Sequence, residues 1–190
     1  MAEVTAAVPP DVVGDRVLAT AAALGDRNAF EVLIRRHGPA LHRYARRMVD
    51  DTDAVADITQ ETFISAWRHI GGFRGEAGVR TWLFAICARK IADSRRIKLA
   101  QPIDDRLLEP VDHSPARDPV IFASTTEFLA ALERALAELP VRQRAAWVLH
   151  EIEALTFPQI GVILNLPPDA VRGHHHRART TLQQRMARWR

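Results

Sequence analysis

Residues 155–179 read LTFPQIGVILNLPPDAVRGHHHRAR, and this stretch decides the fold. Ile160 and Ile163 lie three apart, as on one face of a short helix. Asn165-Leu166-Pro167-Pro168 then interrupts the pattern with turn residues. Pro168 suits the first turn of a new helix, where its missing N–H is no loss. Asp169 complements the positive end of that helix. Val171 points back to a core, while Arg172, His174, His176, Arg177 and Arg179 decorate the second helix. This is the layout of a helix-turn-helix, whose second helix fits the major groove of B-DNA. Residues at the start of that helix reach base edges, and arginines and helix termini contact phosphates. Helical hairpins that bind no DNA share the layout, so the motif alone leaves both readings open.

Charge distribution favours nucleic acid. The net charge is only +3, but residues 172–190 carry six arginines, three histidines and no acid. The chain up to Glu61 is slightly acidic. A basic C-terminal surface suits a polyanion, and a solvated tail is the plain alternative. Successive helical residues point about 100° apart, so His174, His175 and His176 do not converge on one ion.

Working toward the N-terminus, apolar residues recur at helical spacing throughout. Phe128, Leu129, Leu132, Leu136 and Leu139 form one face, and Pro140 marks a stop and restart. Residues 98–121 lose the period. Pro102, Pro110, Pro115 and Pro119 punctuate them, and Asp104, Asp105, Glu109 and Asp112 make them acidic. So long a patternless stretch is a linker between two domains. Before it, Leu83, Ile86, Cys87 and Ile91 mark a helix from near Arg80 to Ile97. Gly71 to Gly78 form a glycine-rich loop. Ile58, Thr62, Ala66 and Ile70 give another helix one stripe, started by Asp50-Asp51-Thr52-Asp53. Asp26 is an N-cap candidate, and Gly38-Pro39 is expected to kink or break the helix it opens.

An all-α protein follows, in two small helical domains. The expected divisions are a disordered start at 1–14, a first domain at 15–97, a linker at 98–121 and a second domain at 122–190. One cysteine excludes an intramolecular disulfide. The start lacks the features of a signal peptide, and no apolar run approaches the ~20 residues that span a bilayer. A cytoplasmic monomer without membrane insertion is expected. No nucleophile motif, phosphate loop, metal-ligand spacing or dinucleotide fingerprint occurs, so no catalytic residue, cofactor, metal or small-molecule substrate is expected.

Two groups of motifs resemble a known family. Leu139-Pro140-Val141-Arg142-Gln143-Arg144, Leu155 to Ile160, Val171-Arg172 and Arg177-Ala178-Arg179 resemble region four of the extracytoplasmic-function (group IV) sigma factors of the sigma-70 family. Asp57-Ile58-Thr59-Gln60-Glu61-Thr62-Phe63 with Trp67, then Phe73-Arg74-Gly75-Glu76 and Thr81-Trp82-Leu83, resemble their region two. The resemblance runs from about Asp15 to Leu182. It implies a chain that binds core RNA polymerase and directs promoter-specific initiation. Region two would grip the beta-prime clamp helices and capture the melted minus-10 element. Region four would read minus-35 duplex on the beta flap, and an anti-sigma factor would hold the protein inactive. The alternative is a stand-alone helix-turn-helix regulator that binds duplex without polymerase.

The resemblance assigns residues. Asp57, Gln60, Glu61 and Arg68 share a helical face and would dock on core polymerase. Phe73, Arg74, Arg80 and Trp82 surround the glycine loop and would hold a flipped minus-10 base, with core packing as the alternative for the two aromatics. Arg89, Lys90, Arg95 and Arg96 would track the same strand. Pro168, Asp169, Arg172, His174, His176, Arg177 and Arg179 would meet minus-35 DNA. Departures are Arg89 for a frequent asparagine, Gln159 for the usual glutamate, Gly173 inside a helix, and His175 at a usually apolar position. His174 stands where an arginine is common, so minus-35 affinity is expected to rise below about pH 6.5.

Overall fold

A computed structural model of the chain describes residues 13–100 and 121–189. The expected linker and disordered start fall almost wholly outside the described residues. Among those residues there are helices and no strands. The order is α1 (Asp15–Ala23), α2 (Arg27–Met48), α3 (Thr52–His69), α4 (Val79–Ala100), α5 (Ile121–Ala137), α6 (Val141–Trp147), α7 (Phe157–Leu164) and α8 (Pro168–Arg185). No helix among the described residues is long and apolar enough to cross a membrane.

The first domain, α1–α4, starts its helices where the sequence places caps. The Asp26 carboxylate accepts from the Asn28 and Ala29 amides at 2.9 and 3.1 Å. Asp51 does the same for Asp53 and Ala54 at 3.0 and 3.4 Å. Each cap satisfies amides that the helix itself leaves unpaired. The stripe of Ile58, Thr62, Ala66 and Ile70 is buried, as are Leu83, Ile86, Cys87 and Ile91. Asp15 ties α1 to α2 through Arg36 and, at 2.8 Å, through His37. Burial pushes the Cys87 thiol up to about 12, so it stays protonated and inert.

Two boundaries differ from expectation: α4 continues to Ala100, past the expected end at Ile97, and α2 is not broken at Pro39 but runs through it. Gly38 precedes the proline and has no Cβ for the ring to meet, which relieves the usual clash. A Cβ at Gly38 would lie 3.8 Å from the Phe63 ring, so α3 packs closely there.

The second domain, α5–α8, is cored by Leu136, Leu139, Val148, Leu149, Ile160, Ile163, Val171 and Leu182. The apolar face expected on α5 is only partly used. Phe128 and Leu129 remain 37% and 50% exposed, while Leu136 and Leu139 are buried. The period correctly finds the helix but not how far the neighbouring helices cover it. After α6 the chain makes a π-helical turn, Val148–Ile152, and Ala154 then takes a left-handed φ of 52°.

The helix-turn-helix is built as its residues suggest. Thr156 and Gln159 form a reciprocal capping box at the start of α7. Gln159 thus has a local structural task that a glutamate would also perform. Asn165 ends α7 in the left-handed conformation, and the Leu166 amide returns to the Gly161 carbonyl at 2.9 Å. A Cβ on Gly161 would sit 2.7 Å from the Leu166 carbonyl oxygen. Gly161→Ala is therefore expected to destabilise the second domain by about 1–3 kcal/mol, because backbone must shift. Thermal unfolding checks this, and an unchanged midpoint would contradict it.

Candidate nucleic-acid interface

Helix α8 presents its inward row, Val171, His175, Ala178 and Leu182, to the core. Pro168, Asp169, Arg172, His176, Arg177 and Arg179 are exposed, and His174 is half-buried. All seven residues expected at minus-35 DNA therefore remain reachable. Arg172 is braced by Asp169 at 3.0 Å and lies over the Phe157 ring at 5.7 Å. That brace holds the guanidinium at the first turn of α8. Arg177 donates to His174 Nδ1 at 3.2 Å, and its guanidinium lies across Gly173, 3.3 Å from where a Cβ would be. The glycine in mid-helix therefore makes room for this arginine.

Desolvation, then Arg177 and Arg142, hold His174 below its ordinary pKa. It is neutral at pH 7, and the expected gain in minus-35 affinity moves to a window lower than pH 6.5. Comparing the pH dependence of wild type and His174→Arg reads this directly; identical profiles would contradict it. The charge at neutral pH rests on the arginines. Replacing Arg177 and Arg179 with glutamine is expected to weaken duplex binding across many sequences. It should also flatten the log–log salt dependence by about 0.9 per lost phosphate contact. An unchanged slope would make both arginines structural.

In the first domain Phe73 and Trp82 meet, ring centroids 5.0 Å apart, at the end of the glycine loop. Both are half-buried and pack against the core of the first domain, so core packing, the alternative for the two aromatics, accounts for part of each ring. Gly75 and Gly78 take φ of 76° and 73°, which only glycine adopts readily. Arg74 and Arg89 are exposed. Arg95 is used locally, donating to the Met48 carbonyl at the end of α2, and Arg96 pairs with Asp93. Asp57, Gln60, Glu61 and Arg68 are all exposed on α3, and Lys90 of α4 reaches Glu61 at 3.2 Å.

The two domains also touch, through residues that sequence reasoning missed. Glu153 is wholly buried, and one of its oxygens accepts from Arg43 and from Arg80, each at 3.2 Å. Its other oxygen has no partner. Arg46 pairs with Glu133 at 2.6 Å, and buried Arg144 reaches the Arg47 carbonyl at 3.5 Å. Burial, then Arg95, lowers the Arg144 pKa. Helix α4 packs on α7. Arg80, expected at the minus-10 strand, is thus held by the second domain in this closed arrangement. No periodicity marks such pairs, because their members lie far apart in sequence.

Comparison with known proteins agrees with this geometry. Residues 33–98 match the family Sigma-70 region 2, and residues 129–182 match Sigma-70, region 4. The chain is 33% identical over 171 residues to the ECF RNA polymerase sigma factor SigM of Mycobacterium tuberculosis, covering 88% of this chain and 82% of that one. It is 32% identical over 176 residues to the RNA polymerase sigma factor CnrH of Cupriavidus metallidurans, covering 88% and 92%. The solved structure of CnrH in complex with the cytosolic domain of CnrY superposes with a TM-score of 0.69, covering 90% of this chain and 95% of that one. The sigma factor RpoE of Bartonella quintana, solved with the anti-sigma factor NepR, shares the fold at TM-score 0.68 and 22% identity, covering 83% and 96%.

Proposed function

The chain belongs to the extracytoplasmic-function sigma factors of the sigma-70 family, and from that premise we propose how its two domains divide the work. The protein catalyses nothing itself and acts in the cytoplasm as a subunit lent to core RNA polymerase. Asp57, Gln60, Glu61 and Arg68 form the face that docks on the beta-prime clamp helices. Phe73, Trp82 and Arg74 capture a minus-10 base, with Arg80, Arg89, Lys90, Arg95 and Arg96 along the strand. The α8 residues read minus-35 duplex while the second domain rests on the beta flap.

The observation that carries this reading is the Phe73–Trp82 pair beside the glycine loop. Unstacking a base costs a few kcal/mol, and stacking on a partly exposed aromatic surface offsets that cost. A duplex-binding regulator has no use for such a pair beside a glycine loop. The closed arrangement supports a resting state in which Arg80 is withheld from DNA. CnrH is seen with the cytosolic domain of CnrY bound, and an anti-sigma factor is the partner proposed to hold this chain in that state.

Holoenzyme formed with wild-type protein should raise the fluorescence of 2-aminopurine placed in the minus-10 element. Holoenzyme carrying Phe73→Ala and Arg74→Ala should bind promoter but raise it far less. Full opening by the variant would overturn the assignment of the pocket.

A further inference from the structure

The inward row of α8 is apolar except at His175, which is buried beside Val171, Ala178 and Leu182. A buried imidazole is costly unless partnered. His175 meets the π-helical turn Val148–Ile152, where its Nε2 lies 2.7 Å from the Glu151 carboxylate. The same turn brings up a second imidazole. His150 Nδ1 is 2.9 Å from the Leu155 carbonyl oxygen. A carbonyl only accepts, so Nδ1 carries the hydrogen and Nε2 keeps the free lone pair. This is the backbone anchoring that metal-ligating histidines commonly use. The His150 ring is also held by its neighbours, stacked on Phe157 at 4.4 Å and edge-on to His175 at 4.7 Å.

One potential ligand atom each from His150, Glu151 and His175 lies within 4.8 Å of the other two. We propose that these three residues form a binding site for a divalent transition-metal ion of the zinc class, which pins the reading helix to the π-helical turn. Two imidazoles and one carboxylate are a zinc donor set with a fourth position left for water. Zinc bonds of about 2.0–2.2 Å put tetrahedral donors roughly 3.3–3.5 Å apart, so the 2.7 Å His175–Glu151 pair must open while separations of up to 4.8 Å to His150 close. Glu151 can adjust its own position, since its side chain is 43% exposed, and the half-buried His150 ring closes the remaining distance. Glu151 also lines a surface groove with Trp147, Arg179 and Met186. On binding, the ion takes the place of the hydrogen between His175 Nε2 and Glu151, and the imidazole stays neutral by carrying its hydrogen on Nδ1 instead.

Two local features support a purpose here beyond packing. π-helical turns inside helices concentrate at functional sites. Ala154, just after this one, holds a left-handed φ of 52° that alanine adopts only when the surroundings impose it. The angular argument that excludes the run His174–His176 as a site still holds. Only His175 takes part, and its partners lie 24 and 25 residues away, where spacing rules do not look.

Binding of the ion does not depend on the sigma-factor reading; its effect on promoter recognition does. The test uses the full chain without a histidine tag, titrated with Co²⁺ alone as the optical probe. Tetrahedral visible absorption should saturate at one ion per chain and disappear when Zn²⁺ is added. His150→Gln and Glu151→Gln touch the half-buried and exposed members, and both should fold while losing more than about tenfold in affinity. His175→Ala should lose the absorption too, with thermal unfolding checked in parallel. Absence of tetrahedral absorption, or unchanged affinity in folded His150→Gln and Glu151→Gln, would overturn the site. A Zn²⁺-dependent change in holoenzyme affinity for minus-35 DNA, lost in His150→Gln, would support the coupling to α8. Equal affinity with and without Zn²⁺, despite binding, would overturn the coupling alone.

Discussion

Replacing Arg43 and Arg80 together with alanine is expected to open the protein, whereas replacing Glu153 with methionine is not. The asymmetry follows from where the charges sit. The Glu153 side chain is fully buried, while those of Arg43 and Arg80 are 49% and 38% exposed. Removing both arginines strands a buried carboxylate that already has one unpartnered oxygen. Such a loss costs about 3–5 kcal/mol, most readily relieved by separating the domains so that water reaches the carboxylate. Glu153→Met removes the charge and keeps the volume. The two arginines then hydrate where they stand, and exchanging a buried ion pair for apolar packing is often neutral. Small-angle scattering should show a larger radius of gyration for Arg43→Ala/Arg80→Ala and a wild-type value for Glu153→Met. A compact double variant would contradict the role of this contact, as would an open Glu153→Met.

The second large effect lies on the opposite task, docking on polymerase. Asp57→Lys with Glu61→Lys is expected to abolish holoenzyme formation while leaving the fold intact. Both side chains are exposed on α3, and exposed substitutions usually change stability by no more than about 0.5 kcal/mol. Glu61→Lys also turns its pairing with Lys90 into a repulsion. Like charges facing across an interface cost several kcal/mol, so affinity for core polymerase should fall at least about 100-fold. Retained binding with an unchanged unfolding midpoint would remove this face from the mechanism.

Local physics is what the sequence makes legible. The caps at Asp26 and Asp51, the span of α7 and the turn at Asn165 all depend on residues within a few positions of one another. Burial of Cys87 and of the Ile58–Ile70 stripe follows from period alone. Phe128 and Leu129 share a period with Leu136 and yet stay at the surface, because burial depends on which helices arrive opposite. Continuity through Pro39 depends on the missing Cβ of the residue before it. Glu153 and Arg43 announce nothing in sequence, since each is defined by a partner in the other domain. His150 and His175 are similar: a π-helical turn shifts the register on which any spacing rule would rely. That one helix carries Pro168, Asp169, Arg172, His174, His176, Arg177 and Arg179 is legible from the turn residues and the period. Arg80 was readable as a cation near the loop, but its closed-state partner was not.

The central claim is tested most directly by adding the purified protein to bacterial core RNA polymerase and transcribing a genomic DNA pool. The account predicts co-elution with the core enzyme and transcripts starting at discrete sites that are absent without the protein. Sequence-specific binding to duplex by the protein alone, with no association with polymerase and no such transcripts, would contradict it and favour a stand-alone regulator.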